Sequence, residues 1–182
     1  MKLMLASDIH GSAFYCSELI KRFEIEKPQK LVLLGDILYH GPRNDLPKEY
    51  NPKAVAEMLN SISESIICVR GNCDSEVDSM VLDFPVQSDT AALFFDGRTI
   101  YCTHGHIYSK QNPLPMHPGD IMASGHTHVP MFSTEKGITF INPGSVSIPK
   151  EESPHGYIII EDGTAVWKDM SGQSYMEKRL TV

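Results

Sequence analysis

The 182-residue sequence predicts an α/β fold in which two β-sheets face each other and helices flank them. Three observations carry this expectation. The first half alternates short apolar runs with amphipathic stretches, the rhythm of βαβ units. The second half turns to apolar runs joined by Asp-Gly or Lys-Gly pairs, which mark hairpins. Five of the apolar runs end beside a glycine and a residue that can bind a metal.

In order, the pattern predicts a strand at 2–6, a helix over about 12–25, a strand at 30–34, a helix over about 53–64 and a strand at 66–69. Hairpins follow at 91–95 and 98–103 about Asp96-Gly97, at 130–134 and 138–141 about Lys136-Gly137, and at 157–161 and 164–169 about Asp162-Gly163. Ile121–Ala123 is a further apolar run between the first two hairpins. Ligands at strand ends from both halves then meet at one edge, where open α/β sheets place their sites.

With 41% hydrophobic residues the chain can bury one core, and no break in composition divides it, so a single domain over 1–182 is expected. A net charge of −7 argues against a general nucleic-acid binder, whose phosphate contacts need a basic face. Cys16, Cys68, Cys73 and Cys102 form no C-x-x-C pair, and a disulfide framework is not expected. No apolar run approaches the 18 or so residues of a membrane span, and the first apolar stretch is too short for a signal peptide, so a cytoplasmic location is expected. Met80-Val81-Leu82-Asp83-Phe84 reads equally as core or as the contact of a homo-oligomer.

The chemistry lies in five segments: Ser7-Asp8-Ile9-His10-Gly11, Gly35-Asp36, Gly71-Asn72-Cys73-Asp74, Thr103-His104-Gly105-His106 and Gly125-His126-Thr127-His128. Any one of them is weak, because a lone Asp in a Gly-Asp turn is usually turn chemistry. Together they place seven metal-capable side chains, Asp8, His10, Asp36, Asn72, His104, His126 and His128, at strand ends where glycine lets the backbone bend beside a cation. In extended chain i and i+2 share a face, so Asp8 with His10, and His126 with His128, can each grip one ion. Two dications held close need an anionic bridge, and Asp36 is the natural one. Such pairs sit about 3.5–4 Å apart and use a shared water or hydroxide as in-line nucleophile on phosphorus. Asn72 adds a neutral oxygen donor and no negative charge opposite an anionic phosphate, which suits a phosphate ester better than a peptide. Mixed carboxylate and imidazole ligation leaves Mn, Mg, Zn and Fe open, with Mn the expected ion.

A stretch rich in Pro and charge, from His40 to Pro52, separates the second strand from the next helix. If it leans over the metals, His40 can supply a proton and Arg43 can meet a phosphate oxygen. His106 points the same way as His104 and reads either as a phosphate contact or as structural. Asn142-Pro143-Gly144-Ser145 reads either as a tight turn or as a segment that shapes the site. His117 and His155 read as solvated loop residues.

Taken in order, these segments resemble the calcineurin-like metallophosphoesterase superfamily, with its pattern D-x-H, G-D, G-N-H-[DE], H and G-H-x-H. The likeness spans Met1 to about Ile160 and is narrowed to a branch of small bacterial phosphodiesterases by the strings at 35–44, 70–78 and 142–150. It implies a four-layer α/β/β/α sandwich of two mixed sheets and a metal-dependent phosphoric diester hydrolase acting on a small phosphodiester. It also implies one metal on Asp8, His10, Asp36 and His128, and a second on Asp36, Asn72, His104 and His126. Cys73 stands where most members carry a His thought to protonate the leaving oxygen. A thiol pushed toward thiolate by the dications is a poor acid and a possible extra soft ligand. Two alternatives remain. The superfamily includes binding scaffolds with eroded metal ligands, and it includes nucleotidases and other phosphomonoesterases, which usually need that His.

Overall fold

The computed structural model describes residues 1–180 apart from Asp96. Its first element, β1 (Lys2–Ala6), leads into α1 (Ala13–Glu26), whose first turn is capped by the Ser12 hydroxyl accepting from the Tyr15 N–H at 3.3 Å. Next come β2 (Lys30–Leu33) and α2 (Pro52–Asn60). Asn51 caps α2, accepting from the Ala54 N–H at 3.2 Å, and Pro52 occupies its first turn, where a missing N–H costs nothing. The helix predicted over 53–64 stops early because serines compete for its carbonyls. Ser61 turns its hydroxyl back to the Met58 carbonyl at 2.6 Å, and Ser63–Ser65 form only a 3-10 turn.

The remaining strands are β3 (Ile66–Cys68), β4 (Thr90–Phe95), β5 (Arg98–Thr103), β6 (Ile121–Ala123), β7 (Pro130–Glu135), β8 (Ile138–Pro143), β9 (Gly156–Glu161), β10 (Thr164–Asp169) and β11 (Ser174–Arg179). The expected hairpins β4–β5, β7–β8 and β9–β10 are all antiparallel pairs, although Asp96 of the first turn lies outside the described residues. β11 was not predicted. It is an exposed edge strand whose Glu177, Lys178 and Arg179 hide any apolar alternation, a composition that blunts an edge against further pairing.

Two mixed sheets result, one ordered β11-β10-β9-β1-β2-β3 and the other β4-β5-β6-β8-β7. β1 is central to the first, parallel to β2 and antiparallel to β9, and it is buried on both faces. Its Met4 and Ala6 meet α1 and α2, while Leu3 and Leu5 meet the second sheet. The intersheet core adds Val32, Leu34, Ile100, Cys102, Ile121, Ile141, Ile158, Ile160 and Trp167. Trp167 is wholly buried and donates its indole N–H to the Asn142 carbonyl at 2.7 Å. The facing mixed sheets agree with the expected sandwich, and both α-helices lie on the six-stranded sheet. Among the described residues no α-helix covers the other sheet's outer face, where Phe94 is 81% exposed.

The Met80–Phe84 stretch divides: Leu82 and Phe84 join the core beneath the helices, whereas Met80 and Val81 are exposed. Among the described residues no helix is long and apolar enough to cross a membrane.

Candidate metal centre

The parallel strands β1, β2 and β3 of one sheet, and β5 and β6 of the other, point their C-terminal ends at one edge of the sandwich. The segments leaving those ends carry the seven expected ligands. Backbone hydrogen bonds lock them together, Asp8 N to Gly35 O at 3.1 Å, His10 N to Asp36 O at 2.9 Å and Gly125 N to His104 O at 2.8 Å. Asp8, His10, Asp36, His126 and His128 all hold left-handed φ between 49° and 67°. Such conformations cost non-glycine residues about 1–3 kcal/mol each and persist where surrounding contacts enforce them, commonly at functional sites.

The ligand atoms fall into two groups that share one oxygen. In the first, Asp8 Oδ1 lies 3.2 Å from His128 Nε2 and 3.6 Å from His10 Nε2, and His10 Nε2 lies 3.6 Å from Asp36 Oδ2. In the second, His104 Nε2 lies 3.4 Å from Asp36 Oδ2, 3.0 Å from Asn72 Oδ1 and 3.2 Å from His126 Nδ1. Asp8, His10, His104, Asp36 and His128 are buried.

The outward ring nitrogens are occupied. His10 Nδ1 meets the Tyr39 carbonyl at 2.8 Å, His104 Nδ1 that of Leu34 at 2.7 Å and His128 Nδ1 that of Ile148 at 2.7 Å. Each Nδ1 therefore donates, which leaves each Nε2 facing inward to take a metal or a proton. The Nε2 atoms of His10 and His128 approach each other to 3.3 Å, and Asp8 Oδ1 is buried without a hydrogen-bond partner among the described residues. Converging, unsatisfied acceptors repel unless a cation or proton lies between them, so this donor set fits divalent metal.

Protonation tells the same story. Burial opposes charge on Asp8, yet the close approach of the His10 and His128 rings and the charge of His104 hold its carboxyl far below the ordinary range. Burial likewise opposes charge on Asp36, and its hydrogen bond and ion pair with His104 win, lowering it. His104 is pushed up to about 9, burial being outweighed by its hydrogen bond to Asp36 and by the charges of Asp8 and Asp36. A proton thus occupies the place that a metal would take. His126 is lowered, by burial and then by His104, which leaves it a neutral donor.

Asp74, unread as a site residue, fastens this geometry. Its Oδ2 accepts from Asp36 N at 2.8 Å and Gly71 N at 2.7 Å, and its Oδ1 from Ile37 N at 2.8 Å. Gly71 is required beside it, because a Cβ there would run into the Asp36 carboxylate. Asn142 serves both as turn and as shaper of the site: its side chain accepts from Gly144 N at 2.8 Å and donates to Gly125 O at 2.7 Å. Ser145 and Ser147 hold the Asp8 carbonyl at 2.8 and 3.1 Å.

A cavity of about 510 Å³ opens over the cluster, lined by Asp36, Asn72, Cys73, His126, His128 and, from the long loop, Gly41 to Asn44. Arg43 faces this cavity as expected. His40 does not: its ring packs edge-on against Tyr39 and Tyr50 at 4.7 and 5.1 Å and is absent from the lining. His106 is exposed beside the cluster, its ring 5.3 Å from that of His104, outside the lining. His155 is no solvated loop residue, since it stacks on Tyr15 at 3.8 Å and pairs with the Val146 carbonyl at 2.9 Å. His117 is exposed in a loop. The Cys73 thiol lies within 4.8 Å of His10 and Asp36 ligand atoms. Burial and then the Asp36 charge push it up to about 12, so the chain alone keeps it neutral, opposite to the shift expected from dications. Lys150 and Thr127 also line the cavity and were not anticipated.

Two groups of oxygen and nitrogen donors sharing one carboxylate, the first buried and the second opening to solvent at Asn72, lie at the strand-end edge of paired mixed sheets and have the donor set of a phosphoesterase-type metal site. The Calcineurin-like phosphoesterase superfamily domain matches residues 1–164, and the chain belongs to that superfamily. It is 44% identical over 162 residues to the phosphodiesterase YfcE of Escherichia coli K12, covering 89% of this chain and 88% of that protein. The solved structure of the E. coli YfcE phosphoesterase superposes with a TM-score of 0.97 at 38% identity over the full length of both chains. The probable metallophosphoesterase YsnB of Bacillus subtilis is 25% identical across all of both chains. Vacuolar Protein Sorting 29 of Cryptosporidium parvum shares the fold, with a TM-score of 0.64 at 19% identity over 98% of this chain and 97% of that one.

Proposed function

We propose that this chain hydrolyses small phosphodiesters at a centre of two divalent cations, with Mn the expected ion and Mg, Zn and Fe as alternatives. Asp8, His10, Asp36 and His128 would hold one cation, and Asp36, Asn72, His104 and His126 the other. The observation that carries this reading is the position of Asp36 Oδ2, 3.6 Å from His10 Nε2 and 3.4 Å from His104 Nε2, so that a single carboxylate oxygen serves both groups. Divalent cations bound there supply positive charge that polarises a phosphoryl oxygen and acidifies water toward neutral pH.

The protein's own groups do the rest. Asp74 fixes the Asp36 backbone, and the carbonyls of Tyr39, Leu34 and Ile148 hold three imidazoles with Nε2 inward. Arg43 offers planar donors to a non-bridging phosphate oxygen. Cys73 lines the cavity in place of an imidazole and provides a weaker acid, so diesters with good leaving groups are the better substrates. Similarity to YfcE, a phosphodiesterase, supports the diester reading over a phosphomonoesterase. A net charge of −7 agrees with a small substrate and no stable nucleic-acid partner.

The test is hydrolysis of bis-p-nitrophenyl phosphate beside p-nitrophenyl phosphate by metal-stripped protein, with Mn, Mg, Zn or nothing added. We expect metal-dependent turnover that favours the diester and falls about 100-fold or more in Asp36→Asn. Folded protein that turns over neither ester with any metal would point to a scaffold.

A further inference from the structure

We infer that Lys150, acting with Arg43, selects phosphodiesters in which one ester group carries a second anion, a phosphate or a carboxylate. This deepens the phosphodiesterase reading and rests on it.

Arg43 and Lys150 reach one cavity from different segments, that of Lys150 tied to a candidate ligand and that of Arg43 packed beside Cys73. Lys150 donates its backbone N–H to the His128 carbonyl at 3.1 Å, while His128 Nδ1 donates to the Ile148 carbonyl at 2.7 Å. Ser153 holds the Lys150 carbonyl through its N–H at 3.1 Å and its hydroxyl at 2.6 Å. The root of the Lys150 side chain is thus fixed against a ligand histidine. Arg43 rides on the turn after Gly41, where the Asn44 side chain clasps the His40 carbonyl at 2.7 Å. Gly41 sits so near Cys73 that an added Cβ would lie 2.9 Å from its sulfur.

Among the described residues neither Arg43 nor Lys150 makes an ion pair, although acids outnumber bases in this chain 23 to 16. The one carboxylate lining the cavity among the described residues is Asp36, which faces the metal cluster, and Glu151 lines a neighbouring cleft instead. Charge balance then decides what the cations meet. Two divalent ions outweigh the carboxylates of Asp8 and Asp36, and a metal-held hydroxide with the single charge of a phosphodiester brings the centre to balance, which leaves Arg43 and Lys150 uncompensated. Two further unpaired cations contribute most to a substrate with more negative charge than the reacting phosphate. The 510 Å³ cavity has room for such a group beside the reacting phosphate.

Two substrates with the same leaving group isolate this effect: the p-nitrophenyl ester of thymidine 5′-phosphate, and that ester carrying a further phosphate on the 3′ oxygen. With Mn-loaded protein we expect kcat/KM to favour the 3′-phosphorylated ester about fivefold or more. The preference should fall to within about twofold in Lys150→Ala, reverse in Lys150→Glu and persist in Lys150→Arg. Equal rates for the two esters in the parent protein, or a preference unchanged in Lys150→Ala, overturns the inference while leaving the phosphodiesterase reading intact. Loss of all diester turnover would overturn the phosphodiesterase reading. In that case, binding of thymidine 3′,5′-bisphosphate against thymidine 5′-phosphate to the same proteins decides the Lys150 claim. Tighter binding of the bisphosphate that is lost in Lys150→Ala supports it, and equal binding overturns it.

Discussion

Asp74 contributes no atom to the cavity lining, yet it holds the backbone of Asp36, Ile37 and Gly71 through one carboxylate. Those three N–H groups join the turn after β2 to the turn after β3, and with them Asp36 to Asn72. Removing the acceptor leaves donors without partners in a partly buried place, so Asp74→Ala should cost about 2–4 kcal/mol in urea unfolding of the metal-free protein. It should also weaken metal binding about 10- to 100-fold, as loss of a group orienting metal ligands does. Asp74→Asn, which keeps acceptor oxygen, should recover part of both. Unchanged metal affinity in Asp74→Ala would show that the Asp36 turn holds its shape without this carboxylate.

At the scale of elements, the segment Gly41–Asn44 packs against Cys73 because residue 41 has no side chain. Gly41 adopts φ 79° against the Cys73 sulfur, so a side chain there is both strained and obstructed. Gly41→Ala should displace the segment that carries Arg43 and raise KM for bis-p-nitrophenyl phosphate several-fold, with little change in bound metal. Steady-state kinetics beside metal analysis checks this, and an unchanged KM would show that the segment does not touch substrate.

The same scale shows what sequence could reveal. Each of the five segments followed an apolar run and contained a glycine, so local pattern singled out Asp8, His10, Asp36, Asn72, His104, His126 and His128, which the fold gathers at one edge. The strands of both sheets were legible for the same reason, whereas β11, polar on its exposed edge, was not. His155 was misread because its partner, Tyr15, lies far away on α1. His40 was expected over the metals, and its packing against Tyr50 at the far end of the loop has no local signature. Lys150 carries no local signature of a site residue, and it lines the cavity because its backbone is tied to the His128 carbonyl.

For the whole molecule, the proposed centre would fasten one sheet to the other. Asp8, His10, Asp36 and Asn72 follow β1, β2 and β3 of the six-stranded sheet, while His104, His126 and His128 follow β5 and β6 of the other. Each proposed ion draws ligands from both sheets, and both ions depend on Asp36. Calorimetric titration of Mn into metal-stripped protein, with Asp36→Asn in parallel, tests this most directly. The account predicts two ions per chain in the parent protein and loss of both in the variant. One ion per chain, or two ions bound as tightly by Asp36→Asn as by the parent, would contradict it.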